Sequence, residues 1–239
     1  MSLLAEIKKK IKAASSNKKA EHSQRFFKSG KGEYAEGDLF LGITVPEMRK
    51  IAKEFYKTLA LIEVIQLLHS KYHEERFIAL EMLDMKFDVG DSKTKKSIYD
   101  QYLLNTKFIN NWDLVDTSAS YIVGPYLLDK PKTILTKLAK SKLLWDRRIA
   151  IIATHHFIRH NQFEETIRIS ELLLHDSHDL IHKAVGWMLR EVGKKDVATE
   201  VAFLDKHAAV MPRTMLRYAI ERFSPAKRKH YLGRKNAMV

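Results

Sequence analysis

Arg76-Phe77-Ile78-Ala79-Leu80 is followed 36 residues later by Trp112-Asp113-Leu114-Val115-Asp116, then by Arg148-Ile149-Ala150-Ile151-Ile152 at the same interval, and again by Ala184-Val185-Gly186-Trp187-Met188. A period of twenty to fifty residues with room for two helices per copy is the pattern of an α-solenoid, in which stacked antiparallel helix pairs share one core. The period is a little short for ordinary HEAT repeats and the tetratricopeptide signature is missing, so the repeats are HEAT-like. The copies also differ in an informative way. Their fifth position carries Leu80, Asp116, Ile152 and Met188, and their fourth carries Ala79, Val115, Ile151 and Trp187. An ionised carboxylate among apolar equivalents is costly unless something compensates it. A departure from a repeat's own pattern is where a functional site is expected.

Outward from that stretch, Trp112 and Asp116 lie four residues apart in Asn110-Asn111-Trp112-Asp113-Leu114-Val115-Asp116, a spacing that stacks them on one helix face. Trp145-Asp146-Arg147-Arg148 opens a later helix, and Lys183-Ala184-Val185-Gly186-Trp187-Met188-Leu189-Arg190 runs through another. We expect these three segments to serve one site. Plainer readings stand beside this one. Asp116 can cap a helix or pair with an arginine such as Arg148, tryptophans at helical spacing usually belong to the core, and a single arginine is usually a surface or paired residue.

The rest of the chain reads as helix after helix, and no convincing alternating strand occurs. Residues 1–28 form one or two amphipathic helices, with Leu3, Leu4, Ile7 and Ile11 at helical spacing. Residues 29–42 hold four of the nine glycines and read as a structured loop, which either touches a ligand or simply connects helices. Thr44 suits a helix N-cap and Pro46 a first turn, and Pro131, Pro212 and Pro225 each precede a helical run. Pro125 follows Gly124 within an apolar helix. Helical runs are expected near 46–57, 59–70, 73–86, 92–105, 111–128, 131–140, 144–160, 163–174, 177–193, 196–207 and 212–223. The expected architecture is all-α, one HEAT-like-repeat domain over 1–239, with N-terminal helices in 1–28 and a basic, frayed tail over 225–239.

Composition narrows the function. With 239 residues the chain can bury a substantial core without metal or disulfide support. No cysteine is present, which excludes disulfides, thiolate zinc, iron–sulfur clusters and a cysteine nucleophile. Neither a signal peptide nor an apolar run long enough for a membrane span is visible, so a soluble, cytoplasmic protein without membrane association is expected. Forty-two Lys and Arg against 29 Asp and Glu leave +13, which favours a polyanionic partner, most often nucleic acid. Lys8, Lys9, Lys10 and Lys12, and Lys227, Arg228, Lys229, Arg234 and Lys235, are either phosphate contacts or plain solvated faces.

Several stretches resemble one family. They are Gly32-Glu33-Tyr34, Gly37-Asp38-Leu39-Phe40-Leu41-Gly42-Ile43, Val45-Pro46-Glu47-Met48-Arg49-Lys50, Asn111-Trp112-Asp113-Leu114-Val115-Asp116, Trp145-Asp146-Arg147-Arg148, and His182 to Glu191. Together they resemble the HEAT-like-repeat alkylpurine DNA glycosylases, the AlkD family of DNA alkylation repair enzymes, from about residue 25 to about 222. The resemblance implies a curved helical array whose concave basic groove cups double-stranded DNA, and excision of N3- or N7-alkylated purines. It places the essential aspartate on Asp116, the two site tryptophans on Trp112 and Trp187, and the site arginine on Arg148. Lys183 and Arg190, in the same motif as Trp187, join Arg148 as DNA-binding candidates. The enzyme is expected to act as a monomer, associated with the nucleoid through DNA, with no cofactor and no metal.

The residues suit that chemistry. A cationic alkylpurine leaves as a neutral base, so no general acid is strictly needed. What remains is to stabilise an oxocarbenium-like sugar and admit water, and a fixed carboxylate such as Asp116 does both. Trp112 and Trp187 can face the sugar, with cation–π attraction of about 0.5–2 kcal/mol each, while Arg148 holds a phosphate. Other chemistries find little support. No phosphate-binding glycine loop is present, nor a His-Glu-x-x-His zinc motif, nor a Schiff-base lysine signal. His155-His156 and His175-x-x-His178 lack a third ligand at a recognised spacing. A non-catalytic HEAT-like module that binds DNA or a protein partner is the competing reading. It has no use for a lone carboxylate facing a polyanion.

Overall fold

The computed structural model describes residues 2–234, and the regular structure among them is helical: fifteen α-helices and two 3-10 turns, with one isolated β-bridge between Leu39 and Tyr72. No helix among the described residues is long and apolar enough to cross a membrane. The chain divides into two compact units, one ending at Ser118 and the other beginning at Ala119.

The first unit contains α1 (Leu3–Ala13), α2 (Asn17–Phe26), α3 (Val45–Phe55), α4 (Leu61–Leu68), α5 (His73–Val89), α6 (Ser92–Leu104) and α7 (Trp112–Asp116). In α1, Ile7 and Ile11 are buried one turn apart while the four lysines between and beyond them stay exposed, and the helix packs on α3. Helix α3 starts where Thr44 and Pro46 suggest, with the Glu47 carboxylate accepting from the Thr44 backbone N–H. Its Met48, Ile51, Ala52 and Phe55 form the buried stripe. Helix α5 lies at the centre, packed by α3, α4, α6 and α7, and is buried on nearly every side through its first three turns.

The loop before α3 is tied to α5 by its own backbone. The buried Glu74 carboxylate accepts from the N–H groups of Leu41 (2.9 Å), Gly42 (2.7 Å) and Ile43 (3.4 Å). Gly42 needs to be glycine twice over. Its φ is +73°, and a Cβ would collide with the backbone at the start of α2.

The second unit contains α8 (Ala119–Leu127), α9 (Thr133–Ala139), α10 (Leu144–Arg159), α11 (Glu164–Leu172), α12 (Asp179–Lys195), α13 (Val197–His207), α14 (Arg213–Ala219) and α15 (Pro225–Gly233). Helix α10 repeats the part played by α5: it is packed by α8, α9, α11 and α12, and Arg148 to Thr154 are all buried. Helix α12 is packed in turn by α13 and α14.

Two expectations are corrected. The single helix expected over 111–128 is broken between α7 and α8. The Ser118 hydroxyl donates to the Leu114 carbonyl (2.6 Å) and is bonded to the Tyr102 hydroxyl (2.9 Å), so a buried side chain holds the turn where the helix would run on. The frayed tail is also replaced, over 225–233, by α15. Ser224 caps it, Pro225 occupies its first position, Tyr231 is buried with its hydroxyl on Asp205 (3.1 Å), and Arg213 donates to the Leu232 carbonyl (2.9 Å). Lys235, a candidate phosphate contact, lies outside the described residues.

Candidate active site

Burial separates Trp112, Asp116 and Trp187 from their repeat equivalents, and leaves the candidate Arg148 among the buried ones. The first, fourth and fifth positions of the four copies comprise twelve residues, and nine of them are 5% exposed or less: Arg76, Ala79, Leu80, Val115, Arg148, Ile151, Ile152, Ala184 and Met188. The three that are half-buried instead are Trp112, Asp116 and Trp187. The third tryptophan, Trp145, is a core residue at 4% exposure.

In the first unit, Trp112 opens α7 and Asp116 closes it. A five-residue helix cannot hold itself and needs outside support. Buried Asn111 caps it, accepting from the Trp112 N–H (2.8 Å). Phe26 and Phe27, at the end of α2, set their rings 5.9 and 5.4 Å from the Trp112 ring. The third support is ionic. His73, 2% exposed at the start of α5, meets the Asp113 carboxylate at 2.8 Å through Nε2, and its Nδ1 lies 3.6 Å from Asp38. Arg76 lies 2.8 Å from Asp38, and Asn110 donates to it at 3.0 Å. Burial favours the neutral imidazole, but the Asp113 carboxylate and then Asp38 outweigh burial and the opposing Arg76, so the His73 pKa is pushed up to about 9. Burial likewise opposes the Asp38 carboxylate, yet His73, Arg76 and Asn110 hold its pKa below the usual value. An imidazolium therefore joins the glycine-rich loop, α5 and α7.

Beside this brace lies an open cavity of about 620 Å³. Phe27, Phe40, Ile43, Val45 and Met48 line it, His73, Glu74 and Asp113 give it polar groups, and Lys18, Lys19 and His22 are exposed at its rim. The glycine-rich loop thus does more than connect, since Phe40 and Gly42 form part of the wall.

In the second unit, Arg148 lies in α10 and Lys183, Trp187 and Arg190 in α12. Arg148 is 5% exposed and donates from Nη1 to the Leu180 carbonyl (2.5 Å), so its guanidinium is fixed on α12. Lys183 pairs with Asp179 at 2.7 Å, one turn back. Trp187 donates its indole N–H to Glu191 (3.1 Å) and meets the His155 ring at 5.9 Å. Burial and then Arg159 lower the pKa of His155, which keeps that imidazole neutral at pH 7. Arg190 pairs with Glu221 and lies 3.8 Å from Glu191. The neighbours in the Trp145 motif are structural: Asp146 accepts from Ser141 (2.7 Å) and Arg147 donates to Asp176 (2.6 Å).

No group of three His, Asp or Glu among the described residues could hold a metal ion. His178 instead caps α12, its Nδ1 accepting from the Leu180 N–H (3.1 Å). The lysine-rich segments are partly engaged already: Lys10 pairs with Glu54, and Arg234 with Asp205 at 3.1 Å.

Sequence reasoning missed His73, Asp38 and Asp113 as a set, and also Phe26, Phe27 and His155. Asp113 stood inside the quoted motif and Asp38 inside the glycine-rich loop, but no spacing joins residues 35 and 40 positions from His73.

The model of the family described as DNA alkylation repair enzyme matches residues 7–223 of the chain. No curated relative matches it. Among solved structures, a predicted DNA alkylation repair enzyme from Enterococcus faecalis is similar at a TM-score of 0.69 and 16% identity, over 88% of this chain and 97% of that one. At that identity the likeness is one of fold.

Proposed function

The chain belongs to the DNA alkylation repair enzyme family, and from that premise we propose that it is a monofunctional DNA glycosylase that hydrolyses the N-glycosidic bond of cationic N3- and N7-alkylated purines in duplex DNA. On this reading its helix pairs are HEAT-like repeats with a concave basic groove for the duplex. The observation that carries the reading is the exposure of Trp112, Asp116 and Trp187 at repeat positions whose other occupants are buried. Two large aromatic rings and a carboxylate are kept out of the core, where apolar residues would cost less. The +13 charge supports a DNA partner.

Each residue then has a part. Asp116 stabilises the positive charge that grows on the sugar as the base departs, and accepts a hydrogen bond from the attacking water. Trp112 and Trp187 offer aromatic faces to the cationic sugar, an attraction that grows toward the transition state. Arg148, anchored on the Leu180 carbonyl, is a fixed cation for a backbone phosphate, and Lys183 and Arg190 are further phosphate contacts. The alkylated base leaves neutral, so the mechanism needs no general acid and leaves the strand intact.

The test is release of 7-methylguanine and 3-methyladenine from methylated duplex DNA by the wild type and by Asp116→Asn. Release by the wild type is expected to fall at least about 100-fold in the variant, with DNA binding retained or strengthened because a carboxylate no longer faces the polyanion. Full activity in the variant would overturn the mechanism. No release by either, with DNA binding intact, would leave a non-catalytic DNA-binding protein on the same scaffold.

A further inference from the structure

Helix α12 carries Lys183, Trp187, Arg190 and Lys194 at steps of four, three and four residues, which is a single helical face. Beyond Trp187 that face leads to a pocket of about 390 Å³ lined by Arg190, Gly193, Lys194, Val197, Glu200, Arg222 and Phe223. Glu200 in its wall is unusual. It is 2% exposed, and its Oε1 has no hydrogen-bond partner. Gly193 makes room for it, because a Cβ there would collide with the Glu200 carboxyl group. The buried Arg190 Nε also lacks a hydrogen-bond partner. A buried polar group left unbonded is costly and needs a reason.

The surroundings indicate what could satisfy it. Phe223 and Val197 supply apolar wall, and the Lys227 ammonium lies 4.1 Å over the Phe223 ring. Arg190 and Lys194 already hold Glu221 and Glu191, whereas Arg222 is exposed on the rim without an acidic partner among the described residues. An anion carrying a flat, hydrogen-bonding ring fits this set better than a bare phosphate, which would leave the apolar wall unused. We propose that the pocket holds one unpaired nucleotide, its base against Phe223 and Val197 and hydrogen-bonded to Glu200, its phosphate on Arg222. Burial raises the Glu200 pKa to about 8 against Lys227 and Arg190, so at neutral pH the group is an acid that can donate to a base nitrogen or carbonyl. Seven residues of helix separate Trp187 from Lys194, about 10 Å at 1.5 Å per residue. At about 3.4 Å per nucleotide of a stacked strand, that is roughly three nucleotides.

This inference rests on the nucleic-acid reading of α12, but not on excision. The nucleotide can come from an unpaired position in a DNA strand or from free solution, and two probes separate these sources. One is fluorescence anisotropy of a labelled blunt duplex against the same duplex with a one-adenosine bulge. The other is calorimetric binding of free dAMP. The wild type is expected to prefer the bulged duplex about tenfold, with an adenosine ring stacked at its wall. Glu200→Leu and Arg222→Ala should each abolish the preference while binding the blunt duplex as the wild type does. Glu200→Gln keeps a hydrogen-bond donor and should retain it. Binding of dAMP that is lost in Glu200→Leu and kept in Glu200→Gln, without a bulge preference, would support the pocket with a free nucleotide as its occupant. No binding of dAMP together with equal affinity for both duplexes, or a preference that survives both disabling substitutions, would overturn the proposal. Methylpurine release from the blunt duplex is measured alongside. Its absence with the bulge preference intact would fell the glycosylase reading alone.

Discussion

Trp112 and Trp187 are presented by two unlike supports. Trp112 stands on a helix of five residues, with too few internal hydrogen bonds to persist alone, and is fixed from outside by Phe26, Phe27 and the buried His73–Asp113 pair. Trp187 stands inside a helix of 17 residues whose Gly186 lies close against α14, and its indole meets the His155 ring and donates to Glu191. The first unit holds its aromatic ring with charge and side chains, and the second holds its own with close helix contact. Different conditions should therefore disable them.

The largest expected effect is at His73. Replacing one partner of a buried ion pair strands the other, at a cost of about 3–5 kcal/mol. His73→Leu leaves Asp113 and Asp38 without the imidazolium between them, so chemical denaturation should report a loss in that range. Methylpurine release should fall further than the stability loss explains, because α7 loses its brace. A loss below about 1 kcal/mol would show that the aromatic contacts alone hold α7. The same pair sets a pH window. The folded pKa of His73, about 9, lies above its ordinary 6.5. Its contribution is therefore complete below about pH 6.5 and is lost as the pH rises through about 9. Wild-type stability should decline across that window by a component that His73→Leu lacks. Identical profiles for the two proteins would mean that the imidazole is neutral.

Gly186→Ala probes the other support. The added Cβ would meet the Met215 carbonyl and the Tyr218 side chain, so α14 must move away from α12. Overpacking of this kind costs about 1–3 kcal/mol. The loss should not vary with pH between 6.5 and 9, which separates it from the His73 effect in one set of denaturation curves. A pH-dependent loss would show that the two supports are coupled.

The same contrast explains what could be read in advance. Helices declare themselves through periodic apolar residues, so α3, α5, α10 and α12 were legible to within a few residues, and the repeat register singled out Trp112, Asp116 and Trp187 before their exposure was known. The brace was not legible. Asp38, His73 and Asp113 meet only after three elements have packed, and no local pattern marks a histidine that will become a buried imidazolium. The break at Ser118 was hidden for a related reason. Its hydroxyl is bonded to that of Tyr102, 16 residues earlier, a contact that exists only once the two segments have packed. Trp145 stands in one of the three quoted segments but outside the repeat register, and it is core, so motif membership marks a region and burial decides the residue.

The smallest effect expected is at His155, and it tests whether Trp187 needs a side-chain partner at all. The two rings lie 5.9 Å apart and tilted, a contact worth about 0.5–1.5 kcal/mol. His155→Ala should cost no more than that in stability, because α12 is held by α14 and the indole N–H keeps its bond to Glu191. Burial and then Arg159 hold the His155 pKa below its ordinary 6.5, so below that pH the wild type bears a cost that the variant lacks, and the loss should be smaller at pH 6 than at pH 8. The sharper measurement is excision, with KM and kcat taken separately. If helix packing alone presents Trp187, both should stay within about twofold of the wild type. A tenfold fall in kcat with KM unchanged would mean that the imidazole fixes the indole for the transition state. Trp187 would then depend on a side-chain brace as Trp112 does, and the contrast between the two units would close.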